Sequence, residues 1–72
     1  MTFPTKKELS RIREQYPKGA RVELVRMDDF QSPPVGTQGT ITGVDDLGNI
    51  LMRCDNGSGL SIILDVDEIK FI

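Results

Sequence analysis

The sequence predicts a mainly β domain, one short N-terminal α-helix followed by a small five-stranded barrel. Three observations carry that prediction. Apolar residues keep a helical spacing only between Leu9 and Tyr16, and from Gly19 onward they alternate in twos. Turns rich in Gly, Asn and Asp interrupt the alternating region at short intervals. The 72 residues suffice for one domain, with residues 1–17 as helix and cap and 18–72 as barrel. A chain of this size has a single core and little room for a deep substrate cavity.

The helix is marked at both ends. Thr5-Lys6-Lys7-Glu8 fits a capping box, in which the Thr5 hydroxyl accepts from the Glu8 N–H and the Glu8 carboxylate reaches back to the Thr5 N–H. Pro4 precedes the cap, where its missing N–H costs nothing. Leu9, Ile12 and Tyr16 form one narrow apolar stripe, and Pro17 and Gly19 stop the helix. A helix of about three turns is marginal in isolation. The stripe must therefore dock, most simply on the barrel.

The strands follow in order. Val22 and Leu24 alternate with Arg21 and Glu23, giving a half-buried strand over 20–27. Asp28 to Pro34 is a polar, proline-containing loop. Gly36 and Gly39 suit a turn feeding the strand Thr40-Ile41-Thr42. Gly43 suits a bulge, because Ile41 and Val44 are three apart and need one extra residue to face the same side. Asp45-Asp46-Leu47-Gly48-Asn49 is a hairpin connection into a strand where Ile50, Met52 and Cys54 alternate with Leu51, Arg53 and Asp55. Asn56-Gly57 is the strongest hairpin signal in the chain. Leu60, Ile62 and Leu64 make a fourth strand, Asp65-Val66-Asp67 a short turn, and Glu68 to Ile72 a brief fifth strand. A long first loop, two tight hairpins and a short turn before the last strand is the pattern of an SH3-like barrel. A five-stranded OB barrel would need a helix between its third and fourth strands, and no segment is free to supply one. With three Phe, one Tyr and no Trp, the core falls to Val, Ile, Leu and Met.

Several blocks together resemble a known family. These are Tyr16-Pro17-Lys18-Gly19-Ala20-Arg21-Val22-Glu23-Leu24-Val25-Arg26-Met27, Pro34-Val35-Gly36-Thr37-Gln38-Gly39-Thr40, Val44-Asp45-Asp46-Leu47-Gly48 and Asp55-Asn56-Gly57-Ser58. They are similar to a family of short bacterial proteins from Gram-positive bacteria, their phages and mobile elements, described as a domain of unknown function. The resemblance covers roughly residues 16–72 and implies an SH3-like fold with no assigned activity. Where that family often has an aromatic residue before the Asp-Asn-Gly turn, this chain has Cys54. More distantly, Gly36-Thr37-Gln38-Gly39-Thr40-Ile41 is similar to the glycine-rich turn of KOW-type barrels, which contact RNA or protein.

The residue inventory speaks against an enzyme. Histidine is absent, which removes the commonest general base and metal ligand, and with it Ser-His-Asp and Cys-His nucleophiles. Cys54 is the single cysteine, so neither an internal disulfide nor a thiolate cluster for zinc can form. By alternation it faces inward as a small core residue. Asp28-Asp29, Asp45-Asp46 and Asp65, Asp67 and Glu68 invite a metal hypothesis. They lack the ligand order of an EF-hand, and adjacent Asp residues in turns more often bond the local backbone. The glycines at 36, 39 and 43 precede neither a Lys-Ser/Thr pair nor a helix, so they do not form a phosphate loop. A polyproline groove needs a row of exposed aromatics. Here Tyr16 and Phe71 are expected to pack, leaving Phe30 as the exposed aromatic, either tucked under its loop or marking a partner contact. No catalytic residue, metal site or cofactor is expected.

Charge is distributed unevenly. Residues 1–26 carry Lys6, Lys7, Arg11, Arg13, Lys18, Arg21 and Arg26 against three acids, while residues 27–72 carry two bases against eight acids. Such asymmetry suits a charged partner or two faces that attract each other. A solvated face is the first reading of the basic helix. A phosphate-binding patch joined by Lys18, Arg21 and Arg26 is the alternative, opposed by the interleaved Glu8 and Glu14 and by a pI near 4.9, far from the basic footprint of nucleic-acid binders. The N-terminus has no apolar signal-peptide core, and no apolar run approaches membrane-spanning length, so a cytoplasmic protein without a membrane partner is expected. The expected role is a non-enzymatic accessory module that binds a protein, with self-association open. A nucleic-acid-associated module is the alternative. Candidate contacts are Lys6, Lys7, Arg11, Arg13, Lys18, Arg21, Arg26 and Phe30.

Overall fold

The computed structural model describes residues 4–29 and 31–72. The chain runs α1 (Lys6–Gln15), β1 (Arg21–Arg26), β2 (Gln38–Val44), β3 (Ile50–Cys54), β4 (Gly59–Ile62) and β5 (Glu68–Phe71). The fold is mainly β, with one short helix.

The helix begins where the cap residues place it. Thr5 Oγ1 accepts from the Glu8 N–H at 3.2 Å. The return arm differs from the expected box, because the Thr5 hydroxyl itself donates to Glu8 Oε1 at 3.2 Å. A hydroxyl carries one proton and two lone pairs, so a single oxygen serves both arms. At the other end, Tyr16 leaves the helix with its N–H on the Ile12 carbonyl, and Pro17 biases the residue before it away from helical geometry. Gly19, at φ +94°, turns the chain into β1.

No residue of α1 is fully buried, yet the helix docks on its own sheet. Ile12 and Tyr16 are packed, partly buried, against the core. Gly48 marks the seat: a Cβ there would lie 3.3 Å from Ile12 Cδ1 and 3.5 Å from Pro4 Cγ. The helix therefore rests on the β2–β3 turn.

The five strands form one antiparallel sheet in the order β4-β3-β2-β1-β5. Closure into a barrel was expected, but the hydrogen-bonded sheet is open, with β4 and β5 as its two edges. Residues 63–67 connect the two edges through a turn. The Val66 and Asp67 N–H groups both donate to the Ile63 carbonyl, and the Ile63 N–H donates to Asp67 Oδ2 at 2.9 Å. The chain turns there, and β4 and β5 share no ladder.

The core is the set of inward positions set by alternation: Val22, Leu24, Ile41, Ile50, Met52, Cys54 and Ile62. The expected bulge is present. The β2–β3 register shifts between Ile41 and Gly43, so Thr42 is the extra residue, and Ile41 opposite Met52 and Val44 opposite Ile50 share one side. A second bulge between Leu24 and Arg26, on the β5 side of β1, had no glycine to announce it. Gly39 is a correction. It lies within β2, opposite Val22 and Cys54, rather than in the preceding turn. A Cβ there would collide with the Arg53 carbonyl and come within 2.7 Å of Met52 Cε, so β2 and β3 approach closely only because the side chain is missing.

Candidate functional site

The basic residues of the first half do not converge. Arg21 lies on the outer face of β1 and forms two parallel bonds of 2.7 Å to the carboxylate of Asp55, with a third to Thr40 Oγ1 at 3.0 Å. This pairing holds the Asp55 carboxyl below its ordinary range and raises the Arg21 guanidinium, chiefly through the side-chain hydrogen bonds. Arg13 leans from α1 to the β2–β3 turn, donating to the Val44 carbonyl at 3.3 Å with Asp46 at 3.5 Å. Arg26 donates to the Val66 carbonyl at 3.2 Å. Three of the seven cations are thus directed to three different parts of the sheet. Lys6, Lys7, Arg11 and Lys18 are exposed and have no ion pair among the described residues. The acidic half contributes one cation to this network: Lys70 on β5 pairs with Glu23 on β1 at 3.1 Å, and that bond, with one from Gln38, lowers the Glu23 carboxyl.

The carboxylates behave as turn residues. Asp45 Oδ1 accepts from the Leu47 and Asn49 N–H groups, both at 2.9 Å, and Asp29 Oδ1 accepts from the Gln31 N–H at 2.9 Å. No group of three or more acids or thiols able to hold a metal ion occurs among the described residues. The thiol of Cys54 is buried on the inner face of β3.

The aromatics depart from expectation in one respect. Tyr16 does pack, but Phe71 remains 54 % exposed, its ring stacked on Tyr16 with centroids 5.7 Å apart. Among the described residues these two rings do not make the row of aromatics that a polyproline groove needs. Phe30 lies outside the described residues.

Exposed apolar side chains occur before β2 at Val35, at the end of β5 at Phe71 and Ile72, and as a group beside β4. Ile63 is 47 % and Val66 54 % exposed, and Leu47 across the β2–β3 turn is similar. Ile63 lines two neighbouring open grooves. One, of about 410 Å³, is lined by Leu60, Ile63 and Val66 on the β4 side and by Met27, Asp28, Asp29, Gln31 and Ser32 opposite. The other, of about 360 Å³, lies beside Ile12 and Leu47. A third groove of about 540 Å³ opens between Tyr16 and the 65–69 segment, bordered by Arg26, Asp65 and Glu68. Sequence reasoning missed Ile63 and Val66, though a signal existed. Ile62-Ile63-Leu64 breaks the alternation, so one of three consecutive apolar residues has to leave the core.

No helix among the described residues is long and apolar enough to cross a membrane. The comparison with curated proteins returned no match. The family model described as Domain of unknown function (DUF4314) matches residues 5–72, the helix and all five strands, and the chain belongs to that family.

Proposed function

We propose that this chain is a non-catalytic, cytoplasmic protein-binding module on an SH3-like barrel. The strand order, with β1 between β2 and β5, and the short turn before β5 support the barrel reading. A lone buried thiol suits a reducing compartment. The observation that carries the binding role is the exposed apolar strip of Leu47, Ile63 and Val66, which flanks an edge strand and lines two open grooves. Apolar side chains grouped around concave surface are characteristic of interaction sites, whereas singly scattered ones are not.

The experiment is affinity capture from host lysate with the parent chain and with the double variant Ile63→Asp/Val66→Asp, each with and without nuclease. A protein held by the parent regardless of nuclease and released by the variant supports the reading. Capture that disappears with nuclease overturns it. The nucleic-acid alternative rests on Lys6, Lys7, Arg11 and Lys18, which are exposed and unpaired among the described residues. It requires binding to DNA or RNA that weakens steeply with salt and weakens further when those four charges are removed.

A further inference from the structure

The two edges of the sheet are protected differently. β5 carries Glu68 and Lys70 and pairs with a bulged partner strand. Charged side chains and bulges are among the devices that keep edge strands from pairing with another chain. β4 has neither charge nor bulge. From Asn56 to Leu64 there is neither a charge nor a proline, and the β3–β4 register runs from Arg53 opposite Gly59 to Ile50 opposite Ile62 without a shift.

The free backbone groups of β4 can be assigned from its hydrogen bonds. The Cys54 N–H donates to the Ser58 carbonyl at 2.8 Å, so residue 54 points its backbone toward β4. Along an antiparallel pair this direction alternates. Leu60 and Ile62 therefore bond to β3, while Gly59 and Ser61 direct N–H and C=O outward. Neither outward residue has a backbone partner among the described residues. Both residues line the groove that is also lined by Met27, Asp28, Asp29, Gln31 and Ser32.

Charge selects what fits there. The groove's described lining includes Asp28, Asp29 and Asp67 and no cation. Asp28 and Asp29 are exposed and have no ion pair among the described residues. We infer that β4 is the receiving edge for a strand of a partner protein, an extended segment that pairs with Gly59 and Ser61 and carries basic side chains toward Asp28 and Asp29. Main-chain bonds then supply affinity and alternate side chains supply selectivity, as in other strand-addition complexes. This inference rests on the protein-binding reading and specifies the partner's chemistry.

The test uses the full chain and two synthetic peptides, one alternating Lys and Val and its counterpart alternating Glu and Val, followed by amide NMR. The Lys peptide should shift the Gly59 and Ser61 amides and slow their exchange with solvent, and the Glu peptide should bind at least about tenfold more weakly. Asp28→Lys, an exposed change that leaves the sheet intact, should weaken the Lys peptide and reduce its salt dependence. Equal binding of both peptides, or shifts confined to other strands, overturns the inference. Shifts of the same amides with protein concentration alone would seat a second copy at β4 and overturn it as well. The protein-binding reading fails separately, when capture from lysate by the parent chain disappears with nuclease.

Discussion

Arg21 and Asp55 face each other across the outer surface of β2, joined by two bonds of 2.7 Å. The pair links the start of β1 to the turn that leaves β3, and Thr40 on the intervening strand accepts a further bond from the same guanidinium. A second cross-strand pair, Glu23 with Lys70, ties β1 to β5. Both sit on the outer face, so the central strands are held by polar pairs on one side and by the apolar core on the other.

These pairs predict the acid limb of the stability curve. Asp55 and Glu23 both have lowered pKa values in the folded protein, through their bonds to Arg21 and to Lys70 with Gln38. The unfolded chain therefore binds protons at higher pH than the folded one. Their contribution is complete above the ordinary carboxylate range and is lost as pH falls through the lowered folded values. Urea melts across that range should show stability dropping with acid, and Asp55→Asn should flatten the slope. An unchanged slope in the variant would remove Asp55 from the account.

Gly39→Ala should destabilise the fold by about 1–3 kcal/mol or more, the usual cost of overpacking a tight site. The new Cβ meets backbone at Arg53, which cannot rotate away as a side chain can. Gly43→Ala, with nothing within 4 Å of its Cβ, serves as the control and should cost far less. Denaturant midpoints of the two variants decide the matter.

Helix docking should be separable from sheet integrity. Ile12→Ala removes a half-buried contact and should cost on the order of 1–2 kcal/mol, less than a fully buried truncation. Thr5→Ala should cost about 1 kcal/mol by removing the cap. Hydrogen exchange is the informative readout: both variants should lose protection across Lys6–Gln15 while β2 and β3 keep theirs. Equal loss in helix and sheet would mean that the two unfold as one unit.

Cys54 should react with thiol reagents only when the sheet opens, since its side chain is buried on β3. Labelling should therefore accelerate with denaturant. Cys54→Ser should cost about 1–3 kcal/mol by placing a hydroxyl in an apolar site. Rapid labelling of the native protein would contradict the burial.

Much of the fold was legible because its signals are local. Thr5 and Glu8 announce the cap, Pro17 and Gly19 the helix end, and Ile41 with Val44 the bulge beside Gly43. Gly57, at φ +94°, takes the left-handed place in its hairpin, and Asn56 accepts from the Ser58 N–H at 3.0 Å. What escaped the sequence depends on long-range geometry. Nothing near Leu24 indicates the second bulge, because it arises from how β1 meets β5. Gly39 looks like any turn glycine until Arg53 is placed beside it. The basic residues share a segment of sequence but not a destination, since Arg13, Arg21 and Arg26 find acceptors on different elements. Ile63 and Val66 look like core residues by type and are exposed by the turn they occupy.

The pairing of β1 with β5 also bears on how the protein emerges during synthesis. Val22 and Phe71 are strand neighbours although they lie roughly fifty positions apart, a long-range contact of the kind that slows folding. Once residues 38–44 have been added, β1 has β2 as a neighbour but still no β5. Its other flank, with Leu24 opposite the place of Ile69, stays open until translation passes Phe71. The growing chain thus has a second unprotected edge between the completion of β2 and the addition of β5.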